Sequence, residues 1–153
     1  MLPGLVGVYD IEIIKFFKLL LFNYLIGNGD AHAKNFSLHN NDNRLVLTPA
    51  YDLLNTSLHL PDASRLACDL FDGDDMTNSY SALGFECYDD FYDFGIKVGI
   101  QPKIVVKLLT DIVSHQMYVF DMLDRSFMSS LAIEKYKERV IDRTKALTTS
   151  YRS

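Results

Sequence analysis

The sequence has few cysteines, little positive charge and no long uncharged apolar run, and each shortage excludes a class of protein. Its two cysteines, Cys68 and Cys87, are far apart and show no CxxC or Cys/His zinc spacing. We therefore expect two free thiols in a reducing cytosol. The formal net charge is -5, whereas a nucleic-acid-binding protein is usually basic. We expect a cytoplasmic protein that does not contact DNA or RNA directly.

Signals for secretion and for membrane insertion are also missing. The apolar N-terminal run lacks a basic leader and a small-residue cleavage site, so it is not expected to be a signal peptide. Residues 11–26 contain Glu12, Lys15 and Lys18, and they fall short of the roughly 20 mostly uncharged residues that a membrane span needs. We expect no membrane association.

The apolar residues that are present predict a mostly helical fold. With 153 residues, 48% of them hydrophobic, the chain can form one domain with a substantial core. Residues 11–26 are apolar almost all round and predict a buried helix, with Asp10 as its N-cap and Gly27 as its end. Apolar periodicity predicts later helices at residues 89–98, from Pro102 to about Leu123, and at 131–147.

A short β-hairpin is predicted directly after the first helix. Two short runs with strand character, FSLH and RLVL, flank the polar residues 40–43. In the predicted register, His39 pairs with Arg44 and Leu38 faces Leu45. This register gives a four-residue link and one half-buried apolar face.

Polar residues on either side of the hairpin have the spacing of a phosphoryl-transfer site. Asp30 and Asn35 match the D-x-x-x-x-N of a kinase catalytic loop, and Asp52 follows the hairpin. In such a site the first Asp accepts the proton of the substrate hydroxyl, while the Asn and the later Asp provide oxygen ligands to Mg²⁺. We therefore predict that oxygens of Asn35 and Asp52 lie within about 5 Å of each other. The spacing alone arises by chance, so the prediction depends on the ordered set of helix, loop, hairpin and acid.

The runs LLFNYLIGNGDAHAKNFSL and LTPAYDLL closely resemble the C-terminal domain of HipA-type serine/threonine protein kinases, the bacterial toxins of toxin–antitoxin pairs. The resemblance is strong over residues 19–55 and looser to about residue 147. It implies a helical kinase-like C-lobe with a small β-hairpin beside the catalytic loop. It also implies that Asp30 is the catalytic base and that Asn35 and Asp52 bind Mg²⁺.

The same resemblance implies roles for two further residues and shows one departure. His32 matches a histidine that is common in the family's loop, and Lys34 stands where a basic residue is usual. Both are implied to support the loop or to bind the phosphates of ATP. Many members have a second acid directly after the catalytic base, whereas this chain has Ala31.

The nucleotide-binding half of a kinase is missing from the sequence. No glycine-rich loop follows a strand, and no strand lysine with an acidic partner is evident. We therefore expect residues 1–153 to form a single C-lobe without an N-lobe. Such a chain could be a fragment, a truncated product, or half of a split kinase whose N-lobe is another polypeptide.

Three functions are compared. The first is the catalytic half of a protein kinase that uses ATP and Mg²⁺; the resemblance implies protein substrates such as aminoacyl-tRNA synthetases and an antitoxin partner. The second is a non-catalytic C-lobe remnant that binds an antitoxin or a separate N-lobe. The third, a two-metal phosphoesterase, is disfavoured because the further His and Asp ligands it needs are missing.

Two features downstream of Asp52 are interpreted as ordinary. Thr56, Ser57 and Ser64 occupy the position of a kinase activation segment, where a phosphorylation site is an alternative to plain loop hydroxyls. The run DGDD at residues 72–75 suggests calcium. However, an EF-hand alignment puts Cys68 and Leu70 at ligand positions, so we expect a solvated acidic turn.

Overall fold

The core is built around one long helix, α1 (Val6–Ile26), in a computed structural model that describes residues 6–58, 65–66, 68–71 and 76–152. Its most deeply buried side chains belong to the second half of the helix: Phe17, Leu20, Leu21, Tyr24 and Leu25. Gly27 follows with φ 75°, the left-handed conformation that commonly ends a helix and that glycine adopts without steric cost. The predicted end is confirmed, but Asp10 is not the N-cap because the helix already begins at Val6.

Five further α-helices are found in the described part of the chain. They are α2 (Asn78–Leu83), α3 (Tyr88–Lys97), α4 (Pro102–Ser114), α5 (Gln116–Asp124) and α6 (Ser130–Thr148). Helix α1 packs against α4 and α6, α3 packs against α4, and α5 packs against α6. The predictions of a mostly α fold and of helices near 89–98 and 131–147 are confirmed.

The predicted helix from Pro102 to about Leu123 is in fact two helices that meet at His115. The Nδ1 atom of His115 lies 2.7 Å from the carbonyl oxygen of Asp111, and the Ser114 hydroxyl donates to the same oxygen at 2.7 Å. Side chains that bond to a nearby carbonyl compete with the next helical hydrogen bond. This competition, at the position where α4 ends, accounts for the break.

Helix α6 begins as its sequence indicates, but one of its basic residues is buried. The hydroxyl of Ser129 accepts a hydrogen bond from the amide of Ala132 and caps the helix. Arg143 is only 3% exposed, and its guanidinium carbon lies 4.8 Å from the centre of the Tyr24 ring. Arg143 therefore faces an aromatic ring in the core and not the solvent.

The hairpin is present, but its register differs from the prediction by two residues. Strands β1 (Leu38–Asn41) and β2 (Arg44–Leu47) pair antiparallel, with Leu38 opposite Leu47. The link is a two-residue turn, Asp42–Asn43, with φ values of 49° and 62°. Left-handed conformation at both positions is typical of the type I′ turn, which matches the twist of the strands. Asn and Asp tolerate this conformation better than other non-glycine residues, so the polar link is shorter than predicted.

The hairpin is also more exposed than predicted. Leu38 is 57% exposed and Leu45 is 56% exposed, so the expected half-buried apolar face is wrong. Val46 and Leu47 are partly buried because β2 packs against α1.

The structure describes the two cysteines and the long apolar helix, but it does not describe all of the hydroxyl and acidic residues singled out in the sequence. Cys68 and Cys87 are both free thiols, as expected. None of the described helices is long and apolar enough to span a bilayer. Ser64, residues 72–75 and the side chain of Ser57 lie outside the described residues.

Candidate active site

The loop after α1 is held by its own backbone hydrogen bonds. The amide of Asn28 donates to the carbonyl of Asn23 at 2.9 Å, the amide of His32 to Asp30 at 2.8 Å, and the amide of Asn35 to His32 at 2.9 Å. The loop ends in a single 3-10 turn, Ala33–Asn35. Asp30 is exposed at the middle of this loop, where its carboxylate is open to a substrate.

Ala31, the residue directly after Asp30, is buried. Its side chain is only 1% exposed, and its carbonyl lies 3.2 Å from the Sγ atom of Cys68, a weak donor. Burying a carboxylate is costly unless it is paired and hydrogen-bonded.

Asp52 is held in an unusual backbone conformation. Its φ is 56°, a left-handed value that Asp adopts more readily than most residues. Its carbonyl accepts two hydrogen bonds, from the side-chain amide of Asn28 at 3.0 Å and from the backbone amide of Leu54 at 3.2 Å. These two bonds fix the turn from which the exposed carboxylate projects.

Asn35 and Asp52 are in direct contact. The Nδ2 atom of Asn35 donates to the Oδ2 atom of Asp52 at 2.9 Å, although the residues are 17 positions apart. The structure therefore brings together the two side chains that were predicted as metal ligands. Both are accessible, since Asp52 is exposed and Asn35 is half-buried.

Tyr51 fastens the segment before Asp52 to the loop. Its hydroxyl donates to the carbonyl of Lys34 at 2.8 Å and lies 2.8 Å from the hydroxyl of Ser37. This role was not predicted from the sequence, because the contact depends on how the chain returns after the hairpin. The only sequence signal is a tyrosine next to a candidate site acid.

Glu12 of α1 fastens the hairpin to the helix and was also missed. Its Oε2 atom accepts from the amide of Leu47 at 2.7 Å, and its Oε1 atom accepts from Lys15 at 2.7 Å. The Lys15 bond, followed by the Leu47 bond, holds the pKa of Glu12 below its ordinary value. A carboxylate in an otherwise apolar helix was the sequence signal.

A buried pair of amides lies beneath the loop. Asn23 and Asn28 are each 2% exposed, and the Nδ2 atom of Asn28 donates to the Oδ1 atom of Asn23 at 2.8 Å. The amide of Gly29 donates to the hydroxyl of Thr56 at 2.8 Å. No partner was predicted from the sequence for either asparagine, and Thr56 was interpreted as a plain loop hydroxyl with a phosphorylation site as the alternative.

His32 and Lys34 share the loop with Asp30, but among the described residues their side chains make no hydrogen bond to Asn35 or Asp52. Both side chains are exposed, and the part of the chain that the structure describes offers them no hydrogen bond or ion pair. They are therefore available to a ligand, and their predicted role as phosphate contacts remains a prediction.

The ligand set fits Mg²⁺ better than a metal held by protein alone. Among the described residues, no group of three or more His, Cys, Asp or Glu side chains could hold a metal ion. Asn35 and Asp52 offer one amide oxygen and one carboxylate. Mg²⁺ commonly takes one or two protein oxygens and completes its shell with phosphate and water.

The helical lobe, with a hairpin beside the loop of residues 27–35, has the fold of a kinase-like C-lobe. The family pattern described as HipA-like C-terminal domain matches residues 7–120. The chain belongs to that family. A solved complex of HipA, HipB and operator DNA from Shewanella oneidensis MR-1 contains a similar chain, with a TM-score of 0.64 and 21% identity. The match covers 86% of this chain and 30% of that chain.

Two bacterial relatives are named as kinases. A Haemophilus influenzae protein named "Putative kinase" is 26% identical over 140 residues, which cover 82% of this chain and 40% of the relative. The Sinorhizobium fredii protein "Putative kinase Y4dM" is 33% identical over 96 residues, which cover 62% of this chain and 22% of the relative. The chain thus spans less than half the length of these relatives.

Proposed function

We propose that this chain is the C-lobe of a HipA-like serine/threonine protein kinase, which transfers the γ-phosphoryl group of ATP to a protein Ser or Thr hydroxyl with Mg²⁺. The observation that supports this proposal most directly is the contact between Asn35 and Asp52. It joins two oxygen-bearing side chains on either side of a hairpin, next to the loop that presents Asp30. A base and oxygen ligands for Mg²⁺ are among the groups that phosphoryl transfer by a kinase needs.

In this proposal Asp30 is the general base. Its exposed carboxylate accepts the proton of the acceptor hydroxyl as that oxygen forms a bond to the γ-phosphorus. The bond between the γ-phosphorus and the bridging oxygen breaks, and ADP leaves with the electron pair. Because the backbone of Asp30 is tied at both its amide and its carbonyl, the carboxylate projects from a fixed point.

Asn35 and Asp52 are the residues that would hold Mg²⁺. When bound, the ion neutralises charge on the β- and γ-phosphates. The exposed side chains of His32 and Lys34 lie on the same loop, and we assign them to the phosphates. An ammonium group interacts favourably with a phosphate as a point charge.

A complete kinase also needs an N-lobe, which we assign to another segment or another chain. The lobe would provide a loop over the phosphates and a lysine with its acidic partner. This chain covers 40% of the Haemophilus relative, so that relative has ample length for such a lobe. An antitoxin is a further proposed partner, since the Shewanella complex includes HipB. The proposed location is the cytoplasm.

A second candidate function, a non-catalytic module that binds a partner, is favoured by exposed apolar residues around the site. Leu38, Leu45 and Leu54 are between 56% and 60% exposed. An exposed apolar surface often marks a protein interaction site. It could bind the N-lobe if the chain is part of a kinase, or another protein if the chain is a non-catalytic module.

The deciding experiment joins this chain to an N-lobe. A chimaera would carry residues 6–152 of this chain in place of the matching region of the Haemophilus relative. Transfer of label from [γ-³²P]ATP to protein would be measured for the chimaera, for its Asp30→Asn variant and for the parent relative. We expect labelling by the chimaera and none by the Asp30→Asn variant. A folded chimaera that does not label, beside a parent that does, would favour the partner-binding module.

Titration calorimetry on the chain itself provides an independent test of the ligand site. ATP with Mg²⁺ would be titrated into the wild-type chain and into its Asp52→Ala variant. Binding that disappears in the variant supports a nucleotide site in this lobe. Equal binding by both proteins would contradict the role of Asp52.

A further inference from the structure

We infer that Asn28 and Thr56 are positioning residues that set the relative placement of Asp30 and Asp52, although neither residue touches the substrate. This inference rests on the proposed function of the site. Asn28 and Thr56 are neither the base nor a metal ligand. They connect the two acid-bearing segments, which are the loop with Asp30 and the turn with Asp52.

Asn28 contacts both acid-bearing segments with one side chain. Its Oδ1 atom accepts from the backbone amide of Asp30 at 3.3 Å, and its Nδ2 atom donates to the carbonyl of Asp52 at 3.0 Å. The two acids are separated by the hairpin in the sequence, so no local geometry relates them. The side-chain amide of Asn28 links their backbones through these two hydrogen bonds.

The orientation of this amide is fixed by a second amide. The Nδ2 atom of Asn28 also donates to the Oδ1 atom of Asn23 at 2.8 Å, and Asn23 in turn donates to the carbonyl of Leu19 at 2.9 Å. Both asparagines are 2% exposed. A buried amide that is fully hydrogen-bonded has one favourable orientation, because a flipped amide would leave buried donors and acceptors unpaired.

Thr56 provides a parallel link from the segment after Asp52. Its hydroxyl accepts from the amide of Gly29 at 2.8 Å and lies 3.4 Å from the carbonyl of Gly27, to which it donates. The residues just before Asp30 are therefore tied to the chain just after Asp52. Displacing either segment would move the other, and misplacing a catalytic group by about 1 Å can cost on the order of 100-fold in rate.

The first test compares Thr56→Val, Thr56→Ser and Thr110→Val. Thr56→Val keeps the shape of the side chain and removes its hydroxyl, whereas Thr56→Ser keeps the hydroxyl. Thr110→Val is the matched control, because the Thr110 hydroxyl donates only to its own helix, at the carbonyl of Val106. Amide hydrogen exchange, read residue by residue by NMR, would be measured with no nucleotide present.

We expect Thr56→Val to accelerate exchange at Gly29 by about tenfold or more, because its amide loses its acceptor. Thr56→Ser should restore the protection, and Thr110→Val should leave Gly29 unchanged. Unchanged exchange at Gly29 in Thr56→Val would overturn the role of Thr56. This measurement needs no activity, so it remains decisive even if the chain proves not to be a kinase.

The second test concerns Asn28 and uses Asn28→Asp. This variant keeps the acceptor for the Asp30 amide and loses the donors to the carbonyl of Asp52 and to the side chain of Asn23. Its crystal structure and its affinity for Mg²⁺·ATP would be compared with those of the wild-type chain. We expect Asp52 to leave its left-handed conformation, the Asn35–Asp52 contact to open and the affinity to fall about tenfold.

A folded Asn28→Asp variant that retains both the contact and the affinity would refute the inference. If that variant does not fold, the Thr56 series and its titration with Mg²⁺·ATP decide the question. A wild-type chain that binds no Mg²⁺·ATP would count against the proposed function, while the exchange data would still decide whether Thr56 positions the loop.

Discussion

The side-chain amide of Asn35 points its nitrogen, not its oxygen, at the carboxylate of Asp52, over a distance of 2.9 Å. In this arrangement the amide donor of Asn35 and a carboxylate oxygen of Asp52 are paired in one hydrogen bond. A cation bound between them needs oxygen from both residues. Binding would therefore break this bond and turn the Asn35 amide over, so that its oxygen faces the ion.

This exchange predicts coupling between the two residues. Asn35→Ala and Asp52→Ala should each weaken binding of Mg²⁺·ATP, and the double variant should lose less than the sum of the two effects. Direct neighbours typically show interaction energies of about 0.5–3 kcal/mol. A double-mutant cycle by calorimetry provides the measurement, with Asn78→Ala as an exposed control outside the site. Strictly additive effects would mean that the residues do not share one ion.

Asp30→Asn should abolish phosphoryl transfer and leave the fold intact. Asp30 is exposed, and its structural hydrogen bonds are made by backbone atoms that the substitution keeps. A general base contributes about 100- to 10,000-fold to a rate. Phosphoryl transfer would be assayed for the kinase chimaera and for its Asp30→Asn variant, and thermal melting curves of the chain with and without the substitution would be recorded. A variant that melts far below the wild-type chain would show that Asp30 has a structural role, contrary to this assignment.

The hydrogen bond between Glu12 of α1 and the hairpin should make the stability of the fold depend on pH. Hydrogen bonds from Lys15 and from the amide of Leu47 hold its pKa below the ordinary 4.5. A lowered pKa stabilises the folded state above the unfolded value, and the contribution is lost as the pH falls through the folded value. The wild-type chain should thus be more stable than Glu12→Gln at pH 7, and the difference should shrink below about pH 4.5.

Urea unfolding of both proteins between pH 3 and pH 7 would measure this difference, with Glu134→Gln on the exposed face of α6 as the control. A difference that stays constant across this range would contradict a charged role for Glu12.

Substituting alanine for Gly95, which lies inside α3, should destabilise the fold. A Cβ atom at this position would lie 2.8 Å and 2.9 Å from the two methyl groups of Val105, which is fully buried. Alanine favours a helix over glycine by about 1 kcal/mol, while overpacking a core costs about 1–3 kcal/mol. We expect Gly95→Ala to lower the free energy of unfolding despite its better helix propensity.

Adding Val105→Ala to Gly95→Ala provides the matched test. Val105→Ala alone should destabilise the chain by leaving a cavity. In the double variant the new methyl group enters the space that was cleared, so the combined loss should be smaller than the sum. Denaturant unfolding would measure all three variants. Additive losses would show that the two side chains do not compete for the same space.

Local sequence signals predicted most of the secondary structure but missed details that depend on single residues. The apolar run before Gly27 specified α1 and its end, because a helix that is apolar on all sides must be buried. The break at His115 was missed because apolar periodicity continues through it. The hairpin register was missed because four polar residues, 40–43, allow either a four-residue link or a type I′ turn.

The sequence by itself determined the order of the site: a buried helix, a loop with Asp30 and Asn35, a hairpin and then Asp52. The order of these elements can be predicted because it depends on local spacing and on apolar patterning, which are properties of residues that are neighbours in the sequence. Only the tertiary structure decided which side chains bond to distant backbone groups, such as Tyr51 to the carbonyl of Lys34 or Glu12 to the amide of Leu47. Those contacts depend on how the hairpin returns onto α1, and chain spacing does not encode that path. The buried amide of Asn28, which bonds to both acid-bearing segments, is likewise a consequence of packing.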